Sequence, residues 1–409
     1  MRVAVDLRPL LEPFESGVSV YTRSMVEEFL RVAGKDSLEL DLFYQARKRC
    51  DRLHEIFSGK NGRPAVRHVP ISTFWHRVKC VFGLPFLGFS RRFPRLSEDY
   101  FEKRPDLIWL PDRREFFRTE FHDKDEILRK IPVVMTVHDL VPEKFGRTLS
   151  WKGRILHLLF PLKRLLKFCD GIVVPSSTTG AGVRKYWKGK MDVTFEGAKL
   201  AEGEMIPAAL REVKIGTKKS LKSLLKRDFF LMIAPADSRK RGEWMLAAAR
   251  RFPKVNFVWA GVKESDSRFA WCRVLKQARK LENVFLLGRV TEEEKLWLLR
   301  KTKALLALSA YEGFDLPVLE AVRAKCPVIM SDIAVHHELY FGAKSKFSSG
   351  KSKKGGACFV ENEDDLIFAI KKMISQKSGC VKVPRPRGDY TWEGAAKRTL
   401  HLFRKIISS

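Results

Sequence analysis

Between Ala304 and Asp332 the chain reads ALLALSAYEGFDLPVLEAVRAKCPVIMSD, and this run restricts the fold more than any other. Ala304–Ser309 is an apolar segment of strand length. A turn, Ala310-Tyr311-Glu312-Gly313-Phe314-Asp315, leads to Pro317, where a helix is expected to begin. Proline suits that position because its fixed φ is helical and its missing N–H would have no partner there. Val318, Leu319 and Val322 can then face a core, and Pro327 closes the helix before a second apolar run, Val328–Met330. Strand, loop, helix, strand is half of a dinucleotide-type α/β unit, in which ligands bind beyond the carboxyl ends of the strands.

Two carboxylates belong to this unit. Glu320, expected in the first helical turn, is read on its own as a residue that complements the positive end of the helix dipole. Glu312 precedes a Gly-Phe turn at the end of the strand, where ligands dock. Loop N–H groups and a helix start together make an anion site.

The ordered series Tyr311-Glu312-Gly313-Phe314-x-Leu316-Pro317-x-Leu319-Glu320-Ala321, followed by Pro327-Val328-x-x-Ser331-Asp332, resembles the Glu-x7-Glu signature of glycosyltransferase family 4. The resemblance implies retaining enzymes of the α/β class with the GT-B fold, two Rossmann-like parallel-sheet domains facing each other across a cleft. Weaker matches accompany it. Met1–Leu7 reads as a first strand, followed by a loop and Gly17 ahead of a Tyr21-bearing helix. His138-Asp139 follows the apolar strand Ile131–Val137, and Ser176-Ser177 follows Gly171–Pro175. After the strand Phe229–Ala234, the turn Asp237-Ser238-Arg239-Lys240-Arg241 resembles a family turn that grips the nucleotide diphosphate. Arg239 and Lys240 fit it best, with a slip to Lys240 and Arg241 left open. Three positions depart from the pattern: Asp315 replaces a usual Gly, Lys325-Cys326 replace small residues, and Glu196-Gly197 replaces Asn-Gly.

By resemblance, Arg239, Lys240 and the backbone of Gly313, Phe314, Asp315 and Leu316 would hold the donor's diphosphate. A guanidinium forks onto phosphate oxygens, whereas Lys acts as a point charge. Glu312 would bind sugar hydroxyls, His138 would lie near the reacting carbon, Glu320 would bond the ribose diol, and Gly17 would belong to the same cleft. No metal and no cofactor is expected beyond the nucleoside-diphosphate sugar itself. The family favours a hexose of mannose or glucose type, with GDP-mannose ahead of UDP-sugars. The acceptor would be a glycan or lipid-linked molecule in cell-envelope polysaccharide or glycolipid synthesis.

Alternating strands and helices in both halves of the 409 residues imply two parallel-sheet domains. By resemblance these would be an acceptor-binding domain (1–205) and a nucleotide-sugar domain (229–385), joined by a basic linker (206–228), with a terminal helix returning to the first domain (386–409). The formal net charge of +30 draws the chain towards polyanions. Residues 72–96 interleave Phe74, Trp75, Phe82, Phe86 and Phe89 with Arg77, Lys79, Arg91, Arg92 and Arg95, which suits a membrane interface or a core helix beside a basic loop. Trp151–Phe168 reads as a basic amphipathic helix. An anionic membrane surface is the expected partner. Nucleic acid, bound on a catalytically altered scaffold, is the alternative that charge alone supports, and no recognition motif accompanies it. Oligomeric state is not legible. The start of the chain enters a strand without a signal peptide, no apolar run has transmembrane length, and seven scattered cysteines show no zinc spacing. These features lead us to expect a cytoplasmic protein, peripheral on the inner face of the cell membrane.

Overall fold

A computed structural model of the chain describes residues 1–12, 16–33, 37–46, 48–57, 65–70, 103–113, 131–146, 153–154, 157–158, 161–198, 227–262, 272–342, 357–375 and 390–409. The chain forms two compact units, Met1–Gly197 with Tyr390–Ser409, and Ala198–Asp389.

In the first unit, β1 (Arg2–Asp6) is followed by a 3-10 turn (Arg8–Leu11), α1 (Gly17–Val32), β2 (Glu39–Ala46), α2 (Asp51–Phe57), β3 (Val66–Pro70), β4 (Leu107–Leu110) and β5 (Val133–Thr136). Then come α3 (Val141–Phe145), α4 (Leu162–Leu166), β6 (Gly171–Val174), α5 (Ser177–Val183) and β7 (Lys190–Val193). All seven strands are parallel, in the order β3-β2-β1-β4-β5-β6-β7. Parallel strands covered on both faces are apolar throughout rather than alternating. LIWL, VVMT and GIVV obey this rule and are buried at every position.

The second unit repeats the plan. It runs β8 (Phe229–Ile233), a 3-10 turn (Ser238–Lys240), α6 (Gly242–Arg251), β9 (Asn256–Ala260), α7 (Cys272–Lys280), β10 (Val284–Leu286), α8 (Glu292–Lys301) and β11 (Ala304–Ala307). It continues with α9 (Leu316–Arg323), β12 (Val328–Ser331), α10 (Ala334–Phe341), β13 (Ala357–Val360) and α11 (Glu363–Ser375). The parallel order is β10-β9-β8-β11-β12-β13, the doubly wound pattern whose direction reverses between β8 and β11. Its core gathers Phe230, Leu246, Phe257, Trp259, Leu306 and Ile370. Gly242 is required where α6 begins, because a Cβ there would lie 2.2 Å from the Trp259 ring.

The last helix, α12 (Trp392–Ile407), belongs to the first unit and packs on α1, β6 and β7. Its Phe403 meets Phe29 and Trp109, and Arg398 donates to the Thr194 carbonyl through Nη2 at 2.8 Å. A Cβ on Gly197 would meet the Trp392 backbone nitrogen at 2.3 Å, so this corner tolerates only glycine.

Several expected elements differ. The helix anticipated over Trp151–Phe168 is interrupted, because Pro161 takes an extended conformation (φ −63, ψ 150) and starts a new helix, α4. A proline has no N–H to donate into a preceding turn, so the earlier helix cannot continue through Pro161, which stands as the N-cap of α4. β7 ends at Val193, and Phe195 turns to φ 46. Glu320 is not in a first turn: it is the fifth residue of α9, too far in for the dipole reading. Residues 72–96 and the linker through 226 lie outside the described residues.

α9 itself follows its sequence closely. Pro317 occupies its second position, and its end is a Schellman motif, with Cys326 N–H on the Ala321 carbonyl (2.8 Å) and Lys325 N–H on Val322 (3.1 Å). Lys325 takes φ 58 and Asp315 takes φ 78. Both departures from small residues therefore fall where the backbone is left-handed, the conformation that glycine enters most easily.

Candidate functional site

The direction reversal between β8 and β11 puts the loops after those two strands side by side. The Ala310 N–H donates to the Arg239 carbonyl at 2.7 Å, tying one loop to the other. Asp237 caps the 3-10 turn by accepting from the Arg239 N–H at 2.9 Å. Arg239 Nη1 then donates to the Tyr311 carbonyl at 2.7 Å and to Glu312 Oε1 at 2.6 Å. Lys240 Nζ donates to the same carboxylate oxygen at 2.6 Å. The three side chains are only 11%, 12% and 11% exposed for Arg239, Lys240 and Glu312. Two cations thus converge on one acid in a largely desolvated corner, and the sum is positive. Arg241 goes elsewhere: its backbone is left-handed, and its guanidinium lies 4.4 Å from the Trp244 ring centroid.

Asp315 is buried at the entry to α9, after the buried Gly313 and Phe314 and before the partly buried Leu316. Its Oδ2 meets His336 Nε2 at 2.8 Å. Burial disfavours the ionised form, but the His336 hydrogen bond and the charges of Lys240, His336 and Arg239 outweigh it and lower the Asp315 pKa. Glu320 is buried on α9 and accepts from Lys295 Nζ on α8 at 2.6 Å. The lysine also reaches Glu292 Oε1 at 2.8 Å. Burial works against the Lys295 charge, yet the carboxylates of Glu320 and Glu292 raise its pKa overall. The ammonium of Lys295 thereby fixes the direction of the Glu320 carboxylate.

His138 lies in the first unit, past the end of β5. Its Nε2 donates to the Pro111 carbonyl at 2.8 Å, and its Nδ1 is 3.2 Å from Glu196 Oε1. The Tyr21 ring packs edge-on at 4.6 Å. Burial would lower the imidazole pKa, but the bond and charge of Glu196, the charge of Asp112 and the Pro111 carbonyl together raise it. Both ring nitrogens face acceptors, so the imidazolium fits this setting. Gly17 opens α1 behind a capping box, in which Ser16 Oγ accepts from the Ser19 N–H at 3.3 Å.

The structure therefore brings together Arg239, Lys240, Glu312, Gly313, Phe314, Asp315, Leu316 and Glu320 in one unit, with His138 and Gly17 in the other. Sequence reasoning passed over Lys295, His336 and the His138–Glu196 pair. Nothing local in the sequence singles out Lys295, whose bond to Glu320 depends on α8 lying beside α9. Glu196 carried a signal, an acid where an amide was expected. Among the described residues no group of three or more His, Cys, Asp or Glu side chains could hold a metal ion. One Asp-x-Asp triplet, Asp123-Lys124-Asp125, stands in the sequence outside the described residues.

The stability of the His138–Glu196 pair has a definite pH sign. A histidine whose folded pKa is raised contributes stability that is complete below the unfolded value, about 6.5, and is lost as pH rises through the folded pKa. Glu196→Gln should therefore destabilise the protein by about 1–3 kcal/mol near pH 6. The deficit should shrink as pH is raised through and beyond the folded imidazole's titration. Denaturant unfolding of both proteins across pH 5.5–9 measures it; a deficit that grows with pH would contradict the assignment.

Comparison with known proteins identifies the family and the fold. The model described as Glycosyltransferase Family 4 matches residues 16–198, and that described as Glycosyl transferases group 1 matches residues 215–383. The chain belongs to the family 4, group 1 glycosyltransferases, and it has their GT-B fold. It is 23% identical to O-antigen chain mannosyltransferase B of Escherichia coli over 99% of this chain and 100% of that one. It is 22% identical to O-antigen chain mannosyltransferase RfbU of Salmonella typhimurium over 58% of this chain and 62% of that one. Among solved structures, a sucrose-phosphate synthase from Thermosynechococcus elongatus superposes with a TM-score of 0.61 at 17% identity, covering 100% of this chain and 96% of that one. Anabaena HepE in complex with UDP-glucose gives 0.60 at 13%, covering 100% and 98%.

Proposed function

We propose that this glycosyltransferase moves a hexose, mannose foremost, from a nucleoside-diphosphate sugar to a glycan or lipid-linked acceptor in cell-envelope polysaccharide synthesis, with retention of anomeric configuration and without a metal. The observation that carries the reading is the convergence of Arg239 and Lys240 on Glu312 at the direction reversal of the second sheet. A leaving diphosphate needs preset positive charge, and buried cations supply it without reorganisation at the moment of bond breaking. Glu312 engages both cations. An arriving diphosphate competes for them, and the displaced carboxylate becomes free to accept from sugar hydroxyls. Glu320, fixed by Lys295, receives the ribose diol. The mannosyltransferase names of the relatives support the choice of sugar. UDP-sugars are the second donor class to test. A panel of GDP- and UDP-sugars, read by released nucleoside diphosphate with and without EDTA, tests donor and metal requirement together. The product's anomeric configuration by NMR tests retention.

The acceptor reading extends to an anionic membrane surface. Among the described residues no helix is long and apolar enough to cross a membrane. In the first unit Leu158 is 80% exposed and Phe168 46%, near in sequence to the exposed Arg154, Lys163, Arg164 and Lys167. Each basic residue near an acidic leaflet contributes about 1 kcal/mol. Replacing Lys163, Arg164 and Lys167 by Glu should therefore weaken flotation with anionic liposomes by about 100-fold or more. Undiminished flotation would move the docking surface elsewhere, and no flotation of the wild type would remove the membrane from the proposal.

A further inference from the structure

The loop that carries Glu312 is fastened at both ends to one buried pair of residues that no comparison assigns. At its start, the Ser331 hydroxyl donates to the Ser309 carbonyl at 2.5 Å. At its end, His336 Nε2 meets Asp315 Oδ2 at 2.8 Å. His336 Nδ1 faces the Ser331 carbonyl at 2.8 Å and lies 3.4 Å from the Ser331 hydroxyl, which closes the connection between the two fastenings. His336 and Ser331 are wholly buried, and Ser309 and Asp315 are 3% and 9% exposed. A carbonyl oxygen only accepts, so Nδ1 donates to it. An ionised carboxylate only accepts, so Nε2 donates as well.

We propose that His336 is a positioning residue of the donor site: it holds Asp315 in the left-handed turn that sets the Glu312 loop, and it offsets the Asp315 charge so that Arg239 and Lys240 remain available to a nucleoside diphosphate. The proposal rests on the donor-site reading above. Asp315 lies within electrostatic range of Lys240 and Arg239 as well as His336, so without the His336 hydrogen bond a buried carboxylate would be left facing the two cations alone. Asp315 also takes a conformation that a residue with a Cβ resists (φ 78), so it needs an anchor. The histidine supplies both the anchor and the compensating charge. The Glu312 loop and α10 thereby form one rigid piece.

The test is a mutant cycle on the full-length chain, probed with GDP and UDP by calorimetry and with the active donor by steady-state kinetics. His336→Leu should weaken binding of the preferred nucleotide about tenfold or more, with the donor KM rising more than kcat falls. Adding Asp315→Gly, which removes the stranded carboxylate and gives the turn a glycine, should restore most of the lost affinity. In the Asp315→Gly background His336→Leu should change the nucleotide Kd by less than about twofold, because its partner is already gone. That comparison serves even if the His336→Leu single variant does not fold. Unchanged nucleotide affinity in a folded His336→Leu protein would overturn the proposal. So would a further loss when His336→Leu is added to Asp315→Gly, which is the signature of packing alone. Failure of the wild type to bind either nucleotide would remove the donor-site reading and this proposal with it. Binding by the wild type with equal binding by the His336→Leu variant would remove this proposal only.

Discussion

Glu312→Gln should lower transfer by about 10²–10³-fold, the loss typical of removing one preorganised electrostatic contact at a reacting centre. The substitution keeps size and shape while removing the charge, and its effect on binding should have the opposite sense. Arg239 and Lys240 are both engaged by one oxygen of Glu312, at 2.6 Å each. Neutralising that oxygen leaves two largely buried cations with a weaker internal acceptor. The affinity for free nucleoside diphosphate should therefore hold or rise while turnover collapses. A folding defect would lower both together, so the divergence identifies Glu312 as a group used on the sugar. Stopped-assay kinetics and calorimetry on one preparation read the two quantities.

Removing the cations should do the reverse, weakening nucleotide binding and transfer in parallel. Charge-assisted hydrogen bonds contribute about 1.5–3 kcal/mol each, or roughly 10- to 150-fold in binding. Lys240→Met is the cleaner variant, because the hydrogen bond of its ammonium is to Glu312. Arg239→Ala also removes the bond to the Tyr311 carbonyl that braces the loop, so its loss should exceed that of Lys240→Met. Arg239→Lys should recover little of it, since the shorter lysine lacks the planar guanidinium whose separate N–H groups reach the Tyr311 carbonyl and a phosphate together. The double variant should lose about 10³-fold or more in kcat/KM, while nucleotide affinity falls by a comparable factor. A double variant that still binds GDP or UDP at wild-type affinity would move the diphosphate away from this corner.

The stretch from Ala304 to Asp332 was legible because its signals are local. An apolar run, a turn, Pro317 and Pro327 fix a strand, a helix and a second strand without help from the rest of the chain. The observed β11, α9 and β12 follow that reading to within a few residues. The choice between Arg239-Lys240 and Lys240-Arg241 needed more. Local sequence makes three adjacent cations equivalent, whereas the left-handed backbone of Arg241 sends it over Trp244 and leaves the other two on Glu312.

The partners of the acids were hidden for a physical reason. Lys295 and Glu320 are 25 residues apart, and Asp315 and His336 are 21 apart. Each pair depends on how one helix packs against the next, a relation no periodicity records. Glu320 shows the consequence most plainly. Read locally, it was a dipole-stabilising residue of a first turn; in the structure it sits a turn deeper, buried and held by a lysine from another helix. The departures at Asp315 and Lys325 acquire a common explanation, since both occupy left-handed backbone positions. At Asp315 the side chain is anchored by His336, whereas Lys325 is exposed and ends a Schellman turn.

The central claim is that the Arg239–Lys240–Glu312 cluster handles a nucleoside-diphosphate sugar. A donor panel with the wild-type protein and Glu312→Gln side by side, measuring nucleoside diphosphate released and bound, tests it most directly. The account predicts that one donor is turned over by the wild type, that Glu312→Gln turns it over at least about 100-fold more slowly, and that both bind its nucleotide. Release of nucleotide from no sugar donor and binding of neither GDP nor UDP by the wild type would contradict it.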